Sequence, residues 1–463
     1  MKNTRSRGRH LLKYAYGKVP PMVRFGSEFR NIYSSLKRTQ WQSEAEVYDH
    51  QLRQLKSILI HSYETVPYYR RLFQSIKFDP DSISTPSTIT RIPFLDKEMV
   101  KKNFENLVSN QYQVSTLRNV LTGGTTGAPM SFLRDNKYAV AVERAFVLRA
   151  WRWAGYDLGD TVAVIRGDIP SAPVRGNGRA IWSYDPLGNR HILSSYDIEE
   201  NNLPAYASMF EVHRPEYIHA YPSSLNLLVN LFRSNGIQVG GVHSVFTSSE
   251  NLYDHQRENI ESYFRCRIFD LYGNREQTCM AAQCGNSGHY HLFHEYGFTE
   301  IIDDDGHPVT EAGVMGEIVA TSFTNRAMPF IRFRSGDIAC FEEGVCGCGN
   351  NSRMLRRIEG RTQDYLVNLK GEKIPLTGGA GGQEPMHGFR QILDAQYYQD
   401  VPGVVSLDVV TSHKLDDKDI SEIIFRLNRR YGNGLTFVVR RVDGIQKTSL
   451  GKHKMVVQKV THP

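Results

Sequence analysis

The chain has 463 residues, 40% of them hydrophobic and 23% charged, enough for two or three domains around a large buried core. No run reaches the ~18 apolar residues that a membrane-spanning helix needs, and no apolar segment of a secretory signal follows the basic start. Six unevenly placed cysteines do not make a disulfide framework, so a soluble protein of the reducing cytoplasm is expected.

The net charge of +7 is concentrated at one end. Residues 1–40 hold ten Lys or Arg against the single acid Glu28, a balance of +9 that leaves the other 423 residues at −2. This excludes the body as a nucleic-acid-binding surface. The basic arm, residues 1–42, can meet an acidic partner or the anionic face of a membrane, or pack Tyr14, Tyr16, Phe25 and Phe29 onto the domain that follows.

Ser43 is a candidate cap for a helix whose apolar residues Tyr48, Leu52, Leu55 and Leu59 recur at three- and four-residue steps, with Pro67 as its stop. Residues 121–131, Leu-Thr-Gly-Gly-Thr-Thr-Gly-Ala-Pro-Met-Ser, gather three glycines and three threonines in one loop. Such a loop fits polyphosphate, because its N–H groups converge and its hydroxyls add donors without bulk. A glycine-rich hairpin turn is the alternative, and a Walker A loop is excluded by the Ala-Pro after Gly127.

Ala139, Val142, Phe146 and Trp153 then mark a second helix. The pattern next alternates through strands at 161–165 and 217–220, a helix at 223–233, a strand at 244–247, a helix at 253–264 and a strand at 267–271. This predicts an α/β fold with parallel strands, crossover helices and a ligand outside the carboxyl ends, where Tyr272-Gly-Asn-Arg-Glu276 falls. A more antiparallel region includes 316–320 and 330–334. Beyond a Gly-rich loop at 377–383, a strand at 404–410, a helix at 420–427 and a strand at 435–439 predict a small C-terminal α/β domain.

Taken in order, the Gly/Thr loop, Tyr272-Gly-Asn-Arg-Glu276, Arg334-Ser-Gly-Asp337, Gly360-Arg-Thr-Gln-Asp364 and Gly451-Lys452 resemble the core motifs of the adenylate-forming superfamily. His61-Ser-Tyr-Glu-Thr-Val-Pro-Tyr-Tyr-Arg-Arg-Leu-Phe, Ile92-Pro-Phe-Leu-Asp-Lys and Pro329-Phe-Ile-Arg-Phe-Arg-Ser-Gly-Asp narrow the resemblance to the phenylacetate-CoA ligase and CapK-like branch. It implies a large AMP-binding N-terminal domain, 43–362, built of parallel α/β subdomains plus a β-rich subdomain. A small mobile C-terminal α/β lid, 363–463, completes it.

The activity so implied is attack of a small-molecule carboxylate, aromatic by default, on the α-phosphate of ATP. Pyrophosphate leaves, and the acyl group passes to CoA or another acceptor, in a CapK-like setting a polysaccharide precursor. Two anions meet in that reaction, so charge must be neutralised and the leaving group clamped. By resemblance, Gly123, Gly124, Thr125, Thr126 and Gly127 wrap the β- and γ-phosphates, and Glu276 holds Mg2+ through hard oxygen ligands. Tyr272 stacks on adenine, Gly273 and Asn274 belong to the same nucleotide motif, and Ser249 and Glu250 form the adenine-side loop. Asp337 accepts both ribose hydroxyls, Arg361 contacts the same sugar, and Lys452 bridges carboxylate and α-phosphate, with Lys447 and Lys454 as neighbours that compete for that role.

Three departures qualify the resemblance. Gln363 stands where relatives carry an acid, Met130 replaces the usual lysine after the loop's proline, and the Gly-rich stretch follows Lys370-Gly-Glu-Lys-Ile-Pro where a helix start is usual. Adenylation is thus better supported than CoA as acceptor. The competing reading is a catalytically inactive nucleotide-binding relative that serves as a partner in a polysaccharide biosynthetic complex. A homodimer is compatible with the sequence.

Cys284, His291, Cys346 and Cys348 can supply three thiolates and one imidazole, a set that suits closed, structural tetrahedral zinc. Gly347 permits the tight Cys-x-Cys turn, and His289 competes with His291. Four unrelated residues with buried thiols are the alternative. Cys266, Cys279 and Cys340 sit in apolar surroundings and are expected in the core, while His219 is expected either in an acyl pocket or as a satisfied helix-entry histidine.

Overall fold

A computed structural model describes residues 15–122, 130–170, 180–361, 365–376, 384–386, 388–389, 391–432, 434–448 and 451–460. The chain is mixed α/β and divides into two compact units, one of Met1–Pro20, Leu158–Asp270 and Glu359–Pro463, the other of Pro21–Asp157 and Leu271–Ile358. The glycine/threonine loop at 123–127 and the side chain of Arg361 lie outside the described residues.

In the first unit, parallel pairing joins Ser244–Ser248 to Tyr217–Ala220, Tyr217–Ala220 to Val162–Ile165, and Val162–Ile165 to Arg190–Leu193, with Trp182–Asp185 antiparallel at the edge. Val162–Ile165 is buried along its whole length, as a strand covered on both faces must be. The helices Leu203–His213, Pro222–Ser234 and Asp254–Phe264 supply much of the core around it through Tyr206, Leu228, Phe232 and Phe264. The predicted elements therefore stand, with ends moved by a residue or two, and Trp182–Asp185, Arg190–Leu193 and Leu203–His213 are additions that the sequence reading lacks.

The C-terminal part of this unit has its own core, centred on Tyr397, Leu407, Ile423 and Leu427. Its sheet runs Thr436–Arg441, Val404–Thr411, Ile392–Val401, Val456–Gln458, with the helix Asp417–Tyr431 packed beside it. The strand Ile392–Val401 has no sequence prediction. It is paired antiparallel to Val404–Thr411 across Pro402-Gly403, and its run Asp394-Ala-Gln-Tyr-Tyr-Gln-Asp400 mixes polar and aromatic residues without a plain apolar signature.

Near the start of the second unit, after the short helix Pro21–Arg24, the helix Gly26–Thr39 buries Phe29, Tyr33 and Leu36, while Arg144 of the helix Asn136–Arg152 lies over the Phe25 ring. Part of the basic N-terminal stretch is therefore an integral helix. Ser43 starts Glu44–Thr65 by a reciprocal cap with Glu46, its N–H donating to Glu46 Oε2 at 2.8 Å, an arrangement that stabilises a helix start by about 1 kcal/mol. Leu55, Ile58 and Leu59 face the core, whereas Tyr48 is exposed, because the buried stripe passes through Val47 one position earlier. Pro67 does stop this helix, and it also opens the next one, Pro67–Ser75, at the position where a missing N–H costs nothing.

The same unit carries strands in the order Gly297–Ile302, Gly316–Ser322, Phe333–Phe341, Met354–Arg361, Tyr290–Leu292, Met280–Gln283. The pairings among Gly297–Ile302, Gly316–Ser322 and Phe333–Phe341 are antiparallel, as the sequence of this region predicts. Arg149 and Glu295 form a buried ion pair at 2.6 Å, and the Thr39 hydroxyl donates to the same Glu295 oxygen. Burial opposes ionisation of Glu295, but the Arg149 and His294 charges outweigh it and hold the carboxyl down to about 2.

Candidate active site and candidate metal centre

The sequence-predicted nucleotide residues divide between the units. In the second unit, the end of the strand Arg267–Gly273 returns through a short turn into Met280–Gln283, with Tyr272 opposite Ala281 and Gly273 opposite Met280. Asn274 shapes the turn: its Oδ1 accepts from the Thr278 N–H at 2.9 Å and the Cys279 N–H at 3.3 Å. Glu276 is buried at 7% exposure, and Gln277 after it takes a left-handed φ of 58°. That conformation is held from beneath, since Gln277 Nε2 donates to Glu143 Oε1 at 2.7 Å and the Ser322 hydroxyl donates to the Gln277 carbonyl at 2.7 Å. Tyr296 donates to the same Glu143 oxygen. Burial pushes the Glu143 carboxyl up, against the pull of Tyr296, Gln277 and Arg134.

Asp337 lies on Phe333–Phe341, and its Oδ2 accepts a hydrogen bond from the Tyr272 hydroxyl at 2.8 Å. Two motifs 65 positions apart in sequence are thus in direct contact. Burial, and then the adjacent Asp337 charge, raise the Tyr272 hydroxyl well above its ordinary value, so it stays protonated and acts as a donor. Gly336, at φ 81°, turns its N–H onto Glu317 Oε1 at 2.9 Å, while Ser335 Oγ accepts from the Asp337 N–H at 3.1 Å.

In the first unit, three adjacent parallel strands end in polar residues. Arg166 follows Val162–Ile165, His219 lies near the end of Tyr217–Ala220, and Ser249 follows Ser244–Ser248. Arg166 bonds His219 Nε2 at 2.9 Å and Ser249 Oγ at 3.0 Å, which ties the three strand ends together. His219 is therefore a satisfied histidine. Burial, followed by the Arg166 and Arg190 charges, holds its basicity well below the ordinary range.

Glu250 is engaged on both oxygens. Oε2 accepts from the Ser223 N–H at 3.2 Å, at the start of Pro222–Ser234, and Oε1 accepts from the His453 N–H at 2.6 Å. Lys452 immediately precedes His453, and its Nζ lies 6.0 Å from the centre of the Tyr221 ring. Of its competitors, Lys447 is spent on the Ser195 carbonyl at 2.8 Å, while the backbone carbonyl of Lys454 accepts from Gln396 at 2.8 Å. Burial pulls the Lys447 ammonium down, opposed by Asp394, Glu250 and Asp197. Gly451 adopts φ 72°, and a Cβ there would stand 2.8 Å from the Tyr196 ring.

His453 and Asp394, absent from the sequence reading, complete this arrangement. His453 Nε2 lies 3.3 Å from Asp394 Oδ1 and 3.0 Å from the Ala395 carbonyl. Burial alone lowers its basicity, but the Asp394 charge and hydrogen bond, Glu250 and the Ala395 carbonyl outweigh burial and raise it above 6.5. The signal was present only as a histidine beside the motif lysine; its partner lies in the strand that sequence patterning missed.

Cys284, His291, Cys346 and Cys348 come together from three segments of the second unit, with their ligand atoms all within 4.8 Å of one another. Cys284 follows Met280–Gln283, His291 lies in the paired strand Tyr290–Leu292, and the Cys346-Gly-Cys348 turn precedes Met354–Arg361, whose Met354 pairs with His291. Cys284 Sγ lies 3.5 Å from Cys346 Sγ, and Cys348 Sγ lies 3.4 Å from His291 Nε2. A tetrahedral ion with bonds of about 2.3 Å needs ligand separations of about 3.8 Å, so the four residues fit such a centre with little adjustment. Burial raises the Cys284 thiol, but hydrogen bonds from His291, the Asn286 and Ser287 backbone and Cys346 bring it down to about 5. His289 is not part of the group and pairs instead with Glu342 at 3.2 Å. Of the remaining cysteines, Cys279 and Cys340 are buried and Cys266 is half-buried, its thiol pushed up to about 12 by burial and then Glu261.

Comparison with known proteins agrees with this architecture. Residues 383–459 match the family model of the CapK C-terminal domain. The chain is 21% identical to Protein CapK of Staphylococcus aureus over 379 residues, 81% of each chain. It is 28% identical to phenylacetate-coenzyme A ligase of Escherichia coli K12 over 331 residues, covering 68% of this chain and 71% of that one. Among solved structures, 2-hydroxyisobutyryl-CoA ligase in its postadenylation state superposes with a TM-score of 0.69 over 91% of both chains at 17% identity. The chain is accordingly a homologue of CapK and the phenylacetate-coenzyme A ligases, with the fold of the adenylate-forming CoA ligases.

Proposed function

We propose that this protein is an ATP-dependent acid–thiol ligase that adenylates a small carboxylic acid and passes the acyl group to CoA. The observation that carries the proposal is the hydrogen bond between Tyr272 and Asp337, because it joins the two motifs assigned to adenine and ribose. In the first half-reaction a substrate carboxylate oxygen bonds to the α-phosphorus as the bond to the β-phosphate oxygen breaks, giving acyl-AMP and pyrophosphate. In the second, the CoA sulfur attacks the acyl carbonyl, AMP leaves with the bonding electron pair, and the thiol proton passes to solvent.

Asp337 would take the ribose hydroxyls as a two-oxygen acceptor, and Arg361 is the cation that the motif order assigns to the same sugar. Lys452 would supply the mobile positive charge between the two anions, and Ser249, Glu250 and Asn274 would frame the base. Residues 123–127 would bind the outer phosphates. Mg2+ would offset the phosphate charge, and Glu276 suits it as a carboxylate oxygen donor. Cys284, His291, Cys346 and Cys348 would hold structural zinc, which leaves no ligand position for chemistry. The lid role of 363–463 and an acidic or membrane partner for the basic arm, residues 1–42, belong to the same reading, as does cytoplasmic residence.

Pyrophosphate release is the test, measured with a panel of aliphatic and aromatic acids, with and without CoA. Acid-dependent release that is lost in Lys452→Ala is expected, with thioester formed when CoA is added. Nucleotide binding without turnover across the panel would instead identify an inactive relative, and release without thioester would redirect the search to another acceptor, such as a polysaccharide precursor.

A further inference from the structure

A cavity of about 770 Å3 lies within the first unit, bounded by Pro222–Ser234, Asp254–Phe264, Met386, Phe389 and the start of the strand Ile392–Val401. The volume is within the ~300–1,000 Å3 range of small-molecule sites. One wall is an amide cluster. Asn259 Nδ2 donates to Asn226 Oδ1 at 2.8 Å and to Asn230 Oδ1 at 2.7 Å, and Asn230 Nδ2 donates to the Leu393 carbonyl at 3.3 Å. These bonds fix all three side chains while leaving Asn259 Oδ1 and the Asn226 amide hydrogens without a hydrogen-bond partner among the described residues. Ser223 lines the same cavity, is 8% exposed, and has a hydroxyl with no partner among the described residues. The cavity is also lined by the apolar side chains of Met386, Phe389, Ile392 and Leu393.

The charges around the cavity are already engaged. Arg233 bonds Ser262 Oγ at 2.9 Å and lies over the Tyr263 ring, and Asp394 pairs with His453. Glu258, at the rim, is exposed. Among the described lining residues there is no cluster of cations to take a phosphate or a polyanion, which favours a neutral ligand over ATP or CoA. Neutral donors and acceptors held in place, together with an apolar surface, match a molecule that has a hydroxylated edge and a C–H face.

We propose that this cavity binds a neutral pyranose unit, with its hydroxyls on the Asn226/Asn230/Asn259 wall and its C–H face on the Phe389 side. The inference is independent of the ligase reading. Saturation-transfer NMR on the full chain, with neutral methyl pyranosides (gluco, galacto, manno and N-acetylglucosamine forms), tests it, with glucose 6-phosphate as the charged comparison. At least one methyl pyranoside should give saturable transfer, weakened about tenfold or more by Asn259→Ala and by Asn226→Ala, and unaffected by Lys452→Ala. Because Asn259 also braces two neighbours, His255→Ala at the cavity edge is a second probe that leaves the cluster intact, and it should weaken binding measurably. No transfer from any neutral sugar, transfer only from the phosphorylated one, or transfer unchanged in all three cavity variants would overturn the proposal.

Discussion

Glu250 holds the backbone N–H of His453 at 2.6 Å, so the residue after the motif lysine is anchored to the carboxyl end of a parallel strand 203 positions away. His453 adds a second tie through its ring to Asp394. Because the folded state raises the basicity of this histidine above its ordinary 6.5, the stabilising contribution is complete below that value and is lost as pH rises through the higher folded value. Protection factors of the amides in residues 451–458, corrected for base-catalysed intrinsic exchange, should fall across that window, roughly from pH 6.5 upward. His453→Gln should flatten the dependence; a profile identical to that of the unaltered protein would rule out His453 as its source.

Gly451 gives a sharper prediction. A methyl group there meets both a left-handed backbone and the Tyr196 ring at 2.8 Å. Gly451→Ala should cost about 1–3 kcal/mol locally, read as loss of protection in the same segment with little change in the global melting temperature. Pairing it with Tyr196→Ala should recover only the part due to ring contact, since φ remains 72°.

Tyr272 and Asp337 should separate by function. Tyr272→Phe removes one hydrogen bond and leaves Asp337 charged, for a loss in ATP affinity of about tenfold or less. Asp337→Asn removes the charged acceptor and leaves a buried hydroxyl with a poorer partner, and should weaken ATP binding by about a hundredfold, measured by calorimetry. Equal effects of the two substitutions would remove the ribose role from Asp337.

Metal content checks the sulfur cluster directly. Purified protein should contain one zinc per chain by mass spectrometry, and Cys346→Ser or His291→Ala should lower occupancy well below that. Chelation should lower the melting temperature, because the ligands join three segments that otherwise rely on strand pairing. His289→Ala should leave zinc content unchanged, since that ring faces Glu342.

Much of this was legible in the chain, for reasons particular residues make plain. The alternation from Val162 to Phe264 carries its own periodicity, and Ser43 with Glu46 announces a helix start within four positions. Motif order assigned Tyr272 and Asp337 to one nucleotide, but not the direct hydrogen bond between them. What stayed hidden depends on pairing across long distances. Asp394 matters because parallel pairing of Ile392–Val401 with Val456–Gln458 brings it beside His453, and Glu143 because it sits beneath Gln277, and neither relation leaves a local pattern. The choice between His289 and His291 was likewise undecidable from spacing, and was made by strand register: His291 lies opposite Met354, beside the Cys-x-Cys turn.

The two engagements of Glu250 differ in kind. One is to a helix start, where the aligned peptide dipoles already favour a negative charge, and the other is to a single N–H of the lysine-bearing segment. If that segment lifts away, the half-buried carboxylate keeps a resting partner. On the Glu250 side, release of that N–H costs about one hydrogen bond, beside the bond from Lys447 to the Ser195 carbonyl, and the strand end can receive the same segment again without rearranging.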